Sequence, residues 1–345
     1  MNLQIEKSSP IYHFSNRFAL ALSVLALATC LCACTRTDQK PVGPPEKVTI
    51  AIATSADAVL AQVAQVKGLF RQEGLEVTPH LHPYGKPALR EVLEGKADFA
   101  TVAETPVMFA IMNGEKIAII ATIQTSELAH AILARRDRGI LTFGDLKGKK
   151  IAATLGTTSH FFLDALLVTH GISRKDVQVV DLKAEEIPDA LARGDVDAVS
   201  TFTLYTALTQ KKMGDRVITF KDKVINHYPF NVVATQDFIR NNPAKVEKVL
   251  RALVKAEEFV RIHPEDAQKI VADFTGIELA IIRDICANAV FTTTLDQSLI
   301  LALEDESRWA INNGLTSARK VPNYLDFIYF NGLKSVKPEA VRILR

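Results

Sequence analysis

From residue 48 to residue 235 the chain alternates short apolar runs of strand character with amphipathic stretches of helical period. The runs fall at 48–53, 75–81, 99–103, 117–123, 130–134, 150–154, 177–182, 198–202, 217–220 and 231–235, and the first is followed by a helical segment over 58–70. This alternation restricts the fold more than any other feature of the chain. A parallel strand pair needs a long crossover, and a helix packed on the sheet supplies it. The pattern therefore predicts an α/β class with largely parallel sheets. From residue 243 to residue 313 the strand signals stop and helix follows helix. Pro243, Pro264 and Glu278 each stand near a predicted helix start, where proline is tolerated and an acid favours the dipole. No internal repeat or low-complexity block interrupts the series.

The N-terminal segment has a different character. Lys7 and Arg17 precede an apolar run that begins at Phe18 and ends in Leu31-Cys32-Ala33-Cys34. A basic start, an apolar centre and a small residue before the cut describe an export signal. Leucine, a small residue and cysteine at its end resemble the lipobox of bacterial lipoproteins, in which the cysteine is acylated and becomes the new N-terminus. The matching residue is Cys34, because Thr29 precedes Cys30 and Leu31 precedes Cys32 where the motif wants a small residue. The apolar run is short for the roughly 20 residues a membrane span requires. This predicts a signal peptide over 1–33, lipidation at Cys34 and a polar, proline-rich tether over 34–47. It places the protein in the cell envelope, on the periplasmic side, held to a membrane by lipid.

Without the signal about 310 residues remain, enough for two domains. Hydrophobic residues make up 48% of the chain, ample for real cores. Lys and Arg number 41 against 39 Asp and Glu, a balance that gives no reason to expect nucleic acid as a partner. Of the 4 cysteines only Cys286 lies in the body, so no internal disulfide framework is available. Cys286 falls in an apolar helical pattern and reads as a buried structural thiol. No Gly-x-Ser-x-Gly elbow or His-Glu-x-x-His helix is present, which removes the usual hydrolase readings. His80 and His82 share one strand face, but nothing near them in sequence completes a metal site. No cofactor and no catalytic residue is expected.

Five short motifs occur in order along the body: Gly68-Leu69-Phe70-Arg71-Gln72-Glu73-Gly74-Leu75, Leu93-Glu94-Gly95-Lys96-Ala97-Asp98-Phe99, Asp145-Leu146-Lys147-Gly148-Lys149-Lys150-Ile151, Gly156-Thr157-Thr158-Ser159-His160, and Leu191-Ala192-Arg193-Gly194-Asp195-Val196-Asp197. Together they resemble the solute-binding proteins of ABC importers for nitrate, sulfonates and taurine, over nearly the whole mature chain. The resemblance implies the type II periplasmic-binding-protein fold: two α/β lobes joined by two crossing strands, with the solute in the cleft between them. It implies crossings near 134–139 and 230–235. Lobe one would comprise 48–138 and 230–345 with the C-terminal helices, and lobe two 139–229. The implied partners are a small solute, an ABC permease with its ATPase, and the membrane. Three alternatives carry different consequences. A binder of a thiamine-pyrimidine precursor or another heterocycle would use the same cleft. A ligand sensor would signal instead of feeding transport. An enzyme, such as the fungal thiamine-pyrimidine synthase of this fold, would need a cysteine-rich segment and a cytosolic address, which this chain does not offer.

The glycines at 74, 148 and 194 read as turns between helix and strand. The Gly156, Thr157, Thr158, Ser159, His160 segment is different, because it follows a strand and opens an apolar helix. A first helical turn offers free N–H groups and the positive end of the dipole, so hydroxyls and an imidazole gathered there can hold an anion without a formal cation. Ser and Thr are also the favoured caps, so a side-chain cap is expected at this turn as well. In α/β sheets ligands bind beyond the carboxyl ends of strands. That rule adds Thr54, Ser55 and Asp57 after the first strand, Glu104 and Thr105 after the third, and Ser126 and Glu127 after the fourth. It adds Thr201, Phe202 and Tyr205 after a strand of lobe two, and the segment from Asn226 to Asn231 by the return crossing. Asp57, Glu104 and Glu127 would make the lobe-one wall acidic, which suits a zwitterion or a heterocycle with N–H donors better than nitrate.

Overall fold

The computed structural model describes residues 43–222 and 227–344. The predicted signal peptide, Cys34, the tether up to residue 42 and Asn226 lie outside the described residues. Each apolar run read as a strand forms one. The first part of the chain runs β1 (Glu46–Ala53), α1 (Val59–Val66), α2 (Leu69–Gln72), β2 (Leu75–His82), α3 (Gly85–Leu93), β3 (Phe99–Ala103), α4 (Glu104–Met112) and β4 (Ile117–Ser126). Next come β5 (His130–Arg135), β6 (Lys150–Ala153), α5 (Thr158–Thr169), β7 (Gln178–Asp181), α6 (Ile187–Arg193), β8 (Ala198–Phe202), α7 (Thr203–Met213) and β9 (Val217–Phe220). The last part holds β10 (Tyr228–Thr235), α8 (Gln236–Asn241), α9 (Pro243–Ile262), α10 (Pro264–Thr275), α11 (Leu279–Ala287), β11 (Ala289–Val290), β12 (Leu295–Asp296), α12 (Gln297–Asn312), α13 (Phe330–Val336) and β13 (Val341–Arg342).

Two main sheets result. The first has the order β11-β4-β10-β3-β1-β2 and the second β7-β6-β8-β5-β9. In the first, β1 lies parallel to β2 and β3, while β10 is antiparallel to β3 and β4. In the second, β6 lies parallel to β7 and β8, while β5 is antiparallel to β8 and β9. The sheets are therefore mixed, not largely parallel as the alternation suggested. The exceptions share a cause. The strands β5 and β10 are the first after each change of sheet, so each enters its lobe from the side where the neighbouring parallel strands end.

The crossings lie earlier than the resemblance implied. β5 pairs with β8 from His130 to Ala134, so it belongs wholly to the second sheet and the chain crosses at 127–129. β10 pairs with β4 from Tyr228 to Thr235, so the return is complete before residue 228. The bounds 138 and 229 are corrected accordingly, with β5 in lobe two and Tyr228 in lobe one. The reason is burial on both faces. Every residue of β10 up to Ala234 is buried, as is β5 from His130 to Ala134, and such a run does not reveal which of two sheets it joins.

Lobe two has apolar layers on both faces of its sheet. Ile132 and Ala134 face Phe162 and Leu166 of α5, while Ala131 and Leu133 face Leu191 of α6 and Val199. The two-residue period along β5 divides these layers. Lobe one has a larger core in which the late helices join the sheet, with Val249, Leu253 and Ala256 of α9 buried alongside Leu60 and Val63 of α1. Glu73 fastens α9 at its rim, reaching Arg251 at 2.6 Å and Lys255 at 2.7 Å. Both cations hold its carboxyl below the usual range despite partial burial. No helix among the described residues is long and apolar enough to cross a membrane.

Candidate functional site

The carboxyl ends of the parallel strands of both lobes converge on one cleft, closed down to about 20 Å³. Lobe one contributes Ser55 and Asp57 after β1, Tyr84, Gly85 and Lys86 where β2 turns into α3, Ala103 and Pro106 around β3, and Tyr228 and Phe230 on β10. Lobe two contributes His130 on β5, Thr157 and Thr158 at the start of α5, and Phe202 at the end of β8. A larger, mostly apolar groove of about 620 Å³ lies between α5 and α12, lined by Phe161, Val168, Leu301 and Trp309 among others. The smaller cleft is the candidate site, because polar groups of both lobes point at a common space there.

Asp57 is buried, and its two carboxylate oxygens accept from the Thr203 hydroxyl at 3.3 and 3.2 Å across the lobes. Burial pushes its pKa up to about 6, opposed by hydrogen bonds from Ser55 and Thr203. At neutral pH it is mostly ionised. Lys86 donates from Nζ to the Leu155 carbonyl at 2.7 Å, a second link across the lobes, and burial lowers its pKa. Gly156 lies against that ammonium. A Cβ there would stand 3.2 Å from Lys86 Nζ, and its φ of +68° disfavours any side chain.

The start of α5 departs from expectation. Thr157 is in the N-cap position, yet it makes no side-chain cap. Its hydroxyl donates back to the Thr154 carbonyl at 2.6 Å. Having spent its only hydrogen, it can only accept from the Ser159 hydroxyl at 2.9 Å. The first turn of α5 is thus left without a side-chain acceptor, next to the cleft. That arrangement is suited to an electronegative group supplied from outside.

Behind this turn lies a buried acid pair. Glu104 opens α4, Glu306 belongs to α12, and both are fully buried. Thr105 Oγ1 stands 2.8 Å from Glu306 Oε1 and 2.9 Å from Thr158 Oγ1. Burial, and then the facing Glu306 carboxyl, hold the pKa of Glu104 well above the carboxylate range. Burial likewise pushes Glu306 up to about 8. Burial thus favours the neutral form of both carboxyls.

His160 faces away from the cleft. Its ring packs edge-on against Trp309 at 4.9 Å, and burial lowers its pKa, so it is neutral. The Gly156 N–H donates to Nδ1 at 3.5 Å, which leaves the ring hydrogen on Nε2, towards Asp164 Oδ2 at 3.7 Å. Asp164 also accepts from Trp309 Nε1 at 3.0 Å and pairs with Arg174 at 3.0 Å. His160 and Asp164 thus dock α5 of lobe two on α12 of lobe one.

Of the residues singled out in the sequence, Ser55, Asp57, Thr157, Thr158 and Phe202 line the cleft. The others have different places. Thr54 donates to the His82 carbonyl at 3.1 Å and ties β1 to β2. Glu104 and Thr105 stand behind the wall. Ser126 donates to the Asn288 carbonyl at 2.8 Å, and Glu127 is exposed. Ser159 is buried, and its carbonyl accepts from Ser200 at 2.8 Å. Thr201 is buried with its hydroxyl unpartnered among the described residues. Tyr205 packs on Phe202 at 5.6 Å, and burial raises its phenol pKa. Asn231 is engaged within the sheet by Thr122 at 2.7 Å and the Pro229 carbonyl at 3.1 Å.

Six cleft residues were not anticipated: Tyr84, Gly85, Lys86, Ala103, Pro106 and His130, while Tyr228 and Phe230 belong to the segment singled out by the return crossing. Tyr84, Gly85 and Lys86 follow β2 and open a helix, so the rule used for the other strands would have found them. His130 and Tyr228 begin the two strands after the crossings, and placing the first crossing too late hid His130. Their rings lie 4.8 Å apart, with Phe202 6.3 Å from His130 and Tyr84 6.0 Å from Phe202. The cleft is therefore aromatic as well as polar. Among the described residues no group of three or more His, Cys, Asp or Glu is arranged to hold a metal ion, and His80 and His82 are both engaged by Glu91.

A Bacillus subtilis (strain 168) protein that carries the provisional name of an aliphatic sulfonates-binding protein is 27% identical over 248 residues, 70% of this chain and 74% of the relative. A Haemophilus influenzae Rd protein provisionally named for thiamine biosynthesis is 25% identical over 242 residues, 68% of this chain and 75% of the relative. Among solved structures, the alkanesulfonate-binding protein SsuA from Xanthomonas axonopodis pv. citri, bound to MOPS, superposes with a TM-score of 0.73 at 20% identity, covering 84% of this chain and 99% of that one. The fold is that of the periplasmic binding proteins. The family model described as "NMT1/THI5 like" matches residues 57–267, more than half of the sequence, and the chain belongs to that family.

Proposed function

We propose that the protein is the solute-capturing component of an ABC importer, tethered to a membrane on the periplasmic side through acylated Cys34 and delivering its solute to a permease and ATPase. It binds its solute without transforming it. One observation carries this reading. An ionised Asp57 on lobe one faces the uncapped first turn of α5 on lobe two, with Thr157 and Thr158 at its mouth. The pair suits a small organic solute with a donor or cation at one end and an anion at the other, as in an aminoalkanesulfonate. A solute gripped at both ends favures the closed arrangement of the lobes, since it binds that state better than an open one. The sulfonate names of the relatives support this reading.

A second reading rests on the rings of Tyr84, His130, Phe202 and Tyr228. They suit a planar heterocycle whose N–H groups donate to Asp57, and the thiamine name of one relative points the same way. Titration calorimetry with 2-aminoethanesulfonate, ethanesulfonate, nitrate and an aminopyrimidine separates the two. The first reading expects 2-aminoethanesulfonate to bind more tightly than ethanesulfonate, and Thr158→Val to weaken it by about tenfold to a hundredfold, the worth of a hydrogen bond to a charged group. Binding of the aminopyrimidine alone, insensitive to Thr158→Val, would establish the second reading and discard the first.

A further inference from the structure

We propose that Glu306 is a positioning residue for the solute, acting through a hydrogen-bond chain from Glu306 to Thr105 to Thr158 whose direction is set by one proton. The inference rests on the anion end of the solute meeting the start of α5. Thr105 stands between two acceptors, 2.8 Å from Glu306 and 2.9 Å from Thr158, and has one hydrogen to give. Thr158 lines the cleft, whereas Glu306 and Thr105 are buried behind it.

Two arrangements satisfy the chain. When Glu306 is protonated, it donates to Thr105, Thr105 donates to Thr158, and the Thr158 hydrogen is released from the chain, to turn from neutral Glu104 to an anion in the cleft. When Glu306 is ionised, Thr105 must donate to it. Thr158 then donates to Thr105 and turns lone pairs towards the solute. An anion in the cleft gains a donor in the first case and meets an acceptor in the second. The proton on an acid that touches no solute thereby decides whether the site accepts an anion.

The surroundings favour the protonated arrangement at neutral pH. Glu104 faces Glu306 from α4 and is within reach of both Glu306 and the Thr158 hydroxyl. From α12 itself comes Asp305, engaged by Arg308 at 2.6 Å. The 3-10 turn at Tyr324–Phe327 presents Tyr324. The lobe-one sheet presents Tyr228, which feels both Asp57 and Glu104. From α5 come His160, neutral, and Asp164, whose charge is met by Arg174. No lysine or arginine is paired with Glu104 or Glu306 among the described residues. Burial holds Glu306 up to about 8, against hydrogen bonds from Glu104 and Thr105 that lower it, so the chain reverses just above physiological pH.

The test is titration calorimetry with ethanesulfonate, whose charge is constant, between pH 7 and 9.5, where Asp57 stays ionised. The wild type is expected to lose about tenfold or more in affinity through pH 8, the worth of a hydrogen bond to a charged group. Glu306→Gln has an amide that donates to Thr105 at every pH, so its affinity should stay level. Thr158→Val should bind weakly and also stay level, since the chain no longer ends in a hydroxyl. Circular dichroism of both variants establishes that they fold. A wild-type affinity that holds from pH 7 to 9.5 overturns the inference alone. So does a fall of equal size in Thr158→Val, which would mean the acid acts by its charge. Failure of ethanesulfonate to bind the wild type at pH 7 overturns the anion reading of the site, and the chain with it.

Discussion

At the scale of single residues, Asp57 shows the conflict between stability and binding most plainly. Its pKa rises from 3.8 to about 6 because burial disfavours the charge. Below pH 3.8 it is protonated in the folded and unfolded chain alike, and burial costs nothing. Between pH 3.8 and 6 the unfolded chain releases its proton first, so the folded form loses ground until the cost is complete above 6, at about 3 kcal/mol. Asp57→Asn removes that cost but weakens the Thr203 hydrogen bonds, so the variant should be more stable than wild type by about 2 kcal/mol at pH 7 and by little at pH 4. Urea unfolding at the two pH values measures this. An equal difference at both would mean the buried charge is not what destabilises the wild type. Asp57 was legible because a polar residue follows a strand end. Thr157 was legible as a ligand candidate for the same reason, but its turn away from the cap position was not. Whether a hydroxyl looks forward to its own helix or back to a strand carbonyl depends on tertiary contacts that no local pattern encodes.

At the scale of elements, each wall of the cleft is set by where a helix begins. α5 brings Thr157 and Thr158, and α3 brings Gly85 and Lys86. The start of α3 presses directly on β3, where a Cβ on Gly85 would stand 2.6 Å from Val102 Cα, a backbone atom that cannot step aside. Gly85→Ala should therefore push α3 away from β3, cost about 1–3 kcal/mol as overpacking does, and weaken solute binding by displacing Lys86. Thermal unfolding and calorimetry on this variant give both numbers, and unchanged stability would show that β3 yields easily. The strands and their order along the chain were readable from apolar period alone. The crossings were not. β5 and β10 are buried on both faces, so their composition matches either sheet, and the pairing of His130 with Phe202 and of Tyr228 with Ser126 decides their lobe.

At the scale of the whole molecule, two lobes with their own sheets meet along a seam that is polar at the cleft and aromatic beside it. Thr203 reaches Asp57, Lys86 reaches Leu155, Thr105 reaches Thr158, and Trp309 is wedged against His160 and Phe161 of the other lobe. The two-lobed plan was legible from ordered motifs and from a second complete strand and helix series. The acid pair at the seam was not, because Glu306 is 202 positions from Glu104 in the chain and looks like one more surface acid on an amphipathic helix. The central claim is that this cleft holds a small solute and releases it unchanged. Native mass spectrometry of the protein purified without unfolding tests it most directly. The account predicts a complex one small solute heavier than the bare chain, lost in a protein that carries Asp57→Asn and Thr158→Val together, with the solute recovered intact after long incubation. A bare mass that no added sulfonate, aminosulfonate or aminopyrimidine shifts, or a product that forms only with the intact cleft, would contradict it.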